Sequence, residues 1–92
     1  MAAHLIATVN GGTLDQYDQA SATLIKAGLP AGLLHHVCVP TDDGFMVIET
    51  WESEKAIQDF IGSERFRQEM EANGVPAPEM EIRPVHYVAV SA

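Results

Sequence analysis

The groups best suited to chemistry in this 92-residue chain fall in one stretch: His35-His36 inside an apolar run, then Glu49 and the only tryptophan, Trp51, in the next run. An imidazole beside a carboxylate can act as a general base, the carboxylate orienting the ring and selecting its tautomer. An indole N–H nearby can hold the carboxylate in turn. Tyr17, His86 and Cys38 are further candidates. Cys38 lies in an apolar run with no activating neighbour, the setting of a small hydrophobic filler. The histidines lack the HxH and HxxxH spacings of a metal site, so no metal is expected.

The elements that must position these groups follow from local signals. His4–Val9 is a short apolar and β-branched run closed by Asn10-Gly11-Gly12, a strand and its breaker. Thr13 and Gln16 form a capping box, and Leu14, Tyr17, Leu24 and Ile25 recur at helical steps. The spacing predicts a helix from about Thr13 to Ala27, ended by Gly28 and Pro30. Gly32–Val39 and Phe45–Trp51 are strands joined through Thr41-Asp42-Asp43-Gly44, a hairpin. Ser53 caps a second helix with Ala56, Ile57, Phe60 and Ile61 on its apolar stripe; Gly62-Ser63 interrupts it before Phe66 and Met70 continue it to Gly74. Met80–Val90 is predicted as a final strand with an edge or bulge at Pro84.

Strand, helix, strand, strand, helix, strand is the order of a ferredoxin-like βαββαβ sandwich, an α+β fold, over one domain spanning residues 1–92. Helices cover one face of such a sheet, yet these strands are apolar on both faces. The expected cover for the second face is another copy of the chain, a homodimer.

Alternation along the hairpin sorts the reactive groups. For an even-numbered loop, Leu34, His36 and Cys38 share a face with Phe45, Val47, Glu49 and Trp51, while Leu33, His35, Val37 and Val39 share the other with Met46, Ile48 and Thr50. His36 stands directly opposite Glu49 if the loop has four residues, or opposite Trp51 if it has two. His36, Glu49 and Trp51 are therefore the candidate catalytic set, against the plainer reading in which Glu49 merely satisfies His36 in the core. Tyr17, on the apolar face of the first helix, can lower its hydroxyl into the same space. His86 fits either a pocket or a dimer position, and His4 and His35 read as structural or exposed.

Thirteen acidic against five basic residues give a formal charge of −8, which repels phosphate backbones and anionic membranes, so neither nucleic acid nor membrane is expected as a partner. Of the cations, Arg65, Arg67 and Arg83 are the only arginines, and an anionic substrate group would need one of them. No run approaches the roughly 18 to 20 apolar residues of a membrane span. The first residues lack the basic region of a signal peptide, which makes a cytoplasmic location the default expectation.

The βαββαβ order, the length, the pattern Gly32…His36-Val37…Pro40…Asp43-Gly44…Val47…Trp51-Glu52-Ser53 and the late Pro84-Val85-His86 resemble the small dimeric α/β-barrel proteins grouped with antibiotic-biosynthesis monooxygenases. The resemblance covers nearly the whole chain. It implies a dimeric α/β barrel with a pocket between sheet and helices, and a small-molecule enzyme of secondary or aromatic metabolism working without a cofactor. That activity would be a cofactor-free oxygenation of an aromatic or polyketide-like molecule. The alternatives are a non-redox cyclase or isomerase on the same scaffold, or a non-catalytic dimeric ligand-binding or accessory protein. Trp51 matches a tryptophan that lines the pocket, while Tyr17, His86 and Val47 fall at substrate-binding positions. At Val47 the cofactor-free oxygenases carry an asparagine, and near Ile61 the haem-degrading members carry a histidine. Asn10 is either a pocket asparagine or, beside Gly11-Gly12, a turn residue.

Overall fold

The computed structural model describes residues 1–89 and residue 91. Its elements are β1 (Ala3–Asn10), α1 (Leu14–Ser21), β2 (Leu33–Thr41), β3 (Gly44–Trp51), α2 (Glu54–Ile61), α3 (Glu64–Ala72) and β4 (Glu79–Pro84). The sheet order is β2-β3-β1-β4, antiparallel throughout, so this is the expected α+β ferredoxin-like arrangement. Among the described residues no helix is long and apolar enough to cross a membrane.

The helix starts are held by the side chains that mark them in the sequence. Thr13 Oγ1 accepts the Gln16 N–H at 3.1 Å and Gln16 Oε1 accepts the Thr13 N–H at 3.0 Å, closing the capping box. Ser53 and Ser63 cap α2 and α3 through the N–H groups of Ala56 and Phe66. The chain after α1 does not stay α-helical: Ala22–Lys26 forms a π-helical turn, a local widening that periodicity cannot distinguish from α-helix and that often lies beside functional sites.

Register assigns every strand residue to a face. Ala3, Leu5, Ala7 and Val9 of β1 join Phe45 and Trp51 of β3 on the side buried beneath the helices, with Ile57 of α2 fully enclosed against Leu33 and Trp51. Such burial is worth roughly 1.5–3 kcal/mol for each large aliphatic side chain. The opposite face presents Ile6, Val37, Met46 and Ile48, half-buried or exposed, and among the described residues no element lies over it.

Two expectations about the strands are corrected. Leu34 does not share the face of His36: the β2–β3 register shifts between Leu33 and His35, so Leu33 stands opposite Trp51 and is buried while Leu34 is half exposed. The bulge follows from the approach of the chain to α2, where Gly32 at φ +88 would place a Cβ 2.7 Å from that of Ala56. The last strand stops at Pro84 instead of running to Val90. Proline carries no N–H for the ladder, and after one more bond, Val85 N–H to the Ala2 carbonyl at 2.9 Å, the chain leaves the sheet. Val90 itself lies outside the described residues.

The hairpin turn is also tighter than its four-residue reading. Thr41 pairs with Gly44, leaving Asp42-Asp43 as the two turn residues. Gly44 is required for a different reason from a left-handed turn: a Cβ there would lie 2.1 Å from the Val9 carbonyl oxygen on β1.

Candidate functional site

The hairpin register places His36 directly opposite Glu49: the turn has two residues, but because they are Asp42-Asp43 the register is the one expected of the four-residue loop, and side-chain geometry builds on it. His36 Nδ1 lies 2.6 Å from Glu49 Oε2. The other carboxylate oxygen accepts the Trp51 indole N–H at 3.0 Å. On the outer side of the imidazole, Nε2 lies 2.6 Å from the Tyr17 hydroxyl. Tyr17, His36, Glu49 and Trp51 thus form one continuous hydrogen-bonded chain running from α1 through β2 to β3.

The proton positions follow from donor inventory. A carboxylate only accepts, so the His36–Glu49 bond requires a proton on Nδ1. The neutral ring then has its lone pair on Nε2, where it accepts the Tyr17 O–H. Glu49 is 4% exposed, and a carboxylate taken out of water is tolerated only when paired and hydrogen-bonded. Here both of its oxygens are satisfied. Burial raises the Tyr17 phenol above its ordinary value, and charge on Cys38, Glu49 and Asp18 adds to it, so tyrosine stays the proton donor of the pair at neutral pH.

The Tyr17 and His36 rings lie nearly parallel, 6.0 Å apart at 13°, and Phe45 meets Tyr17 edge-on at 5.4 Å. These rings border a cavity between sheet and helices with about 620 Å³ of atom-free space, its open mouth included. Its walls are apolar, from Leu5 and Ala7 on the sheet to Phe60, Phe66 and Met70 on the helices, and polar groups enter chiefly through Tyr17, His36 and Glu49. None of the arginines or lysines lines it.

Each predicted residue has a definite place. His36, Glu49, Tyr17 and Val47 border the cavity. Trp51 does not: it is fully buried behind Glu49, its ring tilted 41° against that of Phe60 at 5.3 Å. His86 lies in the bend beyond β4, exposed and away from the cavity. Its expected strand ends at Pro84, which removes the alternation that could have aimed it inward. Asn10 is exposed at the end of β1, and Gly12 N–H donates to the Val9 carbonyl at 3.4 Å, closing a turn over Asn10-Gly11. Cys38 has its thiol pushed up by burial and then by Asp18, which opposes nucleophilic use. The sequence reading missed Leu24 and Phe66 as walls; their apolar helical spacing marks them as core, and only the packing reveals a void between them.

Fold and site define a ferredoxin-like α+β protein with a polar chain ending on an apolar cavity. No protein-family profile matches the chain, and no curated protein matches it in sequence. Solved structures do match over nearly the whole length. A candidate antibiotic biosynthesis monooxygenase from Caulobacter crescentus aligns with TM-score 0.71 at 19% identity, covering 94% of this chain and 91% of that one. A second such candidate, from Chloroflexus aurantiacus, aligns with TM-score 0.67 at 19% identity, covering 99% and 100%. SnoaB, a cofactor-independent oxygenase from Streptomyces nogalater, aligns with TM-score 0.66 at 12% identity, covering 95% and 94%. The chain shares the fold of the antibiotic-biosynthesis-monooxygenase-like proteins.

Proposed function

We propose that the protein is a small-molecule enzyme that binds an aromatic or polyketide-like molecule in the cavity and removes a proton from it with His36, in the manner of a cofactor-free monooxygenase. The observation that carries the reading is the Trp51–Glu49–His36–Tyr17 chain, whose free end opens on an apolar cavity. Glu49 holds the imidazole with its proton on Nδ1, and the Trp51 N–H holds Glu49. A ligand oxygen that takes over the Tyr17 O–H frees the Nε2 lone pair; a ligand hydroxyl or activated C–H that then reaches Nε2 gives up its proton there, and the imidazolium formed faces Glu49 at 2.6 Å. Tyr17 donates to the oxygen on which negative charge collects.

In the oxygenase version the resulting carbanion reduces dioxygen. A ring CH₂ becomes C=O, one oxygen atom enters the product, and the other leaves as water, so the four electrons lost by carbon are those dioxygen accepts. The likeness in fold to a cofactor-independent oxygenase supports this version. Val47 favours a second one: the residue at the position of the oxygenases' asparagine is an apolar part of the cavity wall, which suits proton transfer for cyclisation or isomerisation without oxygen. An oxygen electrode with anthrone as substrate separates them. Oxygen uptake that disappears in His36→Ala supports the oxygenase. His36-dependent exchange of the anthrone methylene protons with D₂O, without uptake, supports the proton-transfer enzyme. Binding with neither activity leaves a non-catalytic ligand-binding protein.

The open sheet face supports the further proposal that the working form is a homodimer. Ile6, Val37, Met46 and Ile48 make it apolar across three strands, and a second copy would cover it by two-fold packing. A monomer at micromolar concentration in analytical ultracentrifugation would sink that proposal.

A further inference from the structure

Behind the cavity lies a second depression, an outer groove bordered by Pro30–Gly32, Glu52, Asp59, Ser63 and Arg65. Leu24 and Phe60 line both it and the cavity, and no other described residue does so. The two walls differ in how firmly they are held. Leu24 is buried in the π-helical turn, and the guanidinium of Arg65 donates to the carbonyl of its neighbour Thr23, tying that turn to α3. Phe60 is a half-buried ring on α2 whose neighbours are other rings: Trp51, and Phe66 edge-on at 5.1 Å and 65°. A ring held by apolar contacts has no hydrogen bond to break when it changes rotamer, whereas the tethered turn cannot shift without breaking its bond.

We propose that Phe60 is the specificity-determining residue of the cavity, the removable half of a partition that sets the length of the ligand accepted. With the ring in place a ligand ends against Leu24 and Phe60. With the ring withdrawn, cavity and groove form one trough open to an elongated polycyclic molecule. This rests on the reading of the cavity as the ligand site.

The test uses two hydroxyarenes of different length, 2-naphthol and 1-pyrenol, titrated by fluorescence against the intact protein. Phe60→Ala should bind 1-pyrenol at least about 10-fold more tightly than the wild type while 2-naphthol changes by no more than about 3-fold, a difference in the range one added contact group gives. Met70→Ala, which trims the cavity wall but not the groove, should leave the ratio of the two affinities unchanged. Phe60→Leu serves if the alanine variant fails to fold. Equal changes for both ligands, or the same selectivity change in Met70→Ala, would overturn the proposal. Crystals of the Phe60 variant under xenon pressure give a readout that needs no ligand chemistry: continuous xenon density from cavity to groove supports the partition, and separate sites refute it. Failure of the wild type to bind 2-naphthol would count against the cavity as a hydroxyarene site, with the xenon result still deciding the role of Phe60.

Discussion

His35 and His36 are neighbours in sequence and belong to two different regions of the molecule. His36 points under the helices, where Glu49 and Tyr17 hold both ring nitrogens. His35 points to the open face of the sheet, exposed, opposite Thr50. The helix-covered face encloses a buried carboxylate with every acceptor satisfied, whereas the open face between the outer strands is an apolar surface with scattered polar edges. The difference teaches that one step along a strand can separate a residue held in a buried hydrogen-bonded chain beside the cavity from one set on an exposed sheet face, because alternation sends them to opposite sides of the sheet.

The sharpest way to break this comparison is to change the two histidines separately. His36→Ala should lower turnover of a hydroxyarene or anthrone substrate by about 10²- to 10⁴-fold, the usual contribution of a general base, with the circular dichroism spectrum unchanged. His35→Ala should leave turnover within about 2-fold. Comparable losses in both variants would dissolve the distinction between the faces.

The next effect falls on stability. Glu49→Ala strands the Trp51 N–H and the imidazole in the core, and should cost about 3 kcal/mol in urea denaturation. Glu81→Ala removes a carboxylate from the open face, where its pairing with Arg83 is exposed. It should change stability by no more than about 0.5 kcal/mol. If Glu49→Ala proves equally mild, the buried chain is not a structural unit.

Ile48→Asp tests the open face directly. Placing a charge at the centre of the proposed dimer contact should weaken association by about 100-fold in sedimentation equilibrium, with the monomer still folded. An unchanged molecular mass would mean that no copy docks there.

The smallest effect is a titration. Because burial raises the Tyr17 phenol, the folded state holds that proton more tightly than the unfolded state. Its contribution is fully present below about pH 10, the ordinary tyrosine value, and is lost as pH rises through the higher folded value. Denaturation of the wild type and Tyr17→Phe across about pH 9 to 11 should therefore show the wild type losing more stability at the alkaline end. Parallel curves would mean that Tyr17 is no more buried than an ordinary surface tyrosine.

Much of this was legible before any coordinates. The order of elements, the capping box at Thr13, the break at Gly62-Ser63 and the face shared by His36 with Glu49 all rest on short-range rules: cap chemistry, helical period and the two-residue repeat of a strand. Whether His36 meets Glu49 or Trp51 across the hairpin was left open between two loop lengths. It was decided by where the turn falls: its two residues are Asp42-Asp43, so Thr41 pairs with Gly44 and the register is the one the four-residue reading gives, with Gly44 passing close to the Val9 carbonyl on β1. The bulge that buries Leu33 and exposes Leu34 depends on how near Gly32 comes to α2, a distance no local pattern contains.

The same division runs through the site. Sequence alone determined which residues could do chemistry and which of them share a face, because alternation is a property of the backbone. Only the tertiary structure decided that Trp51 stands behind Glu49 instead of lining the cavity, that Tyr17 reaches Nε2, and that His86 lies outside. Those outcomes depend on depth and on the approach of one element to another, and both are set by packing across the whole sheet.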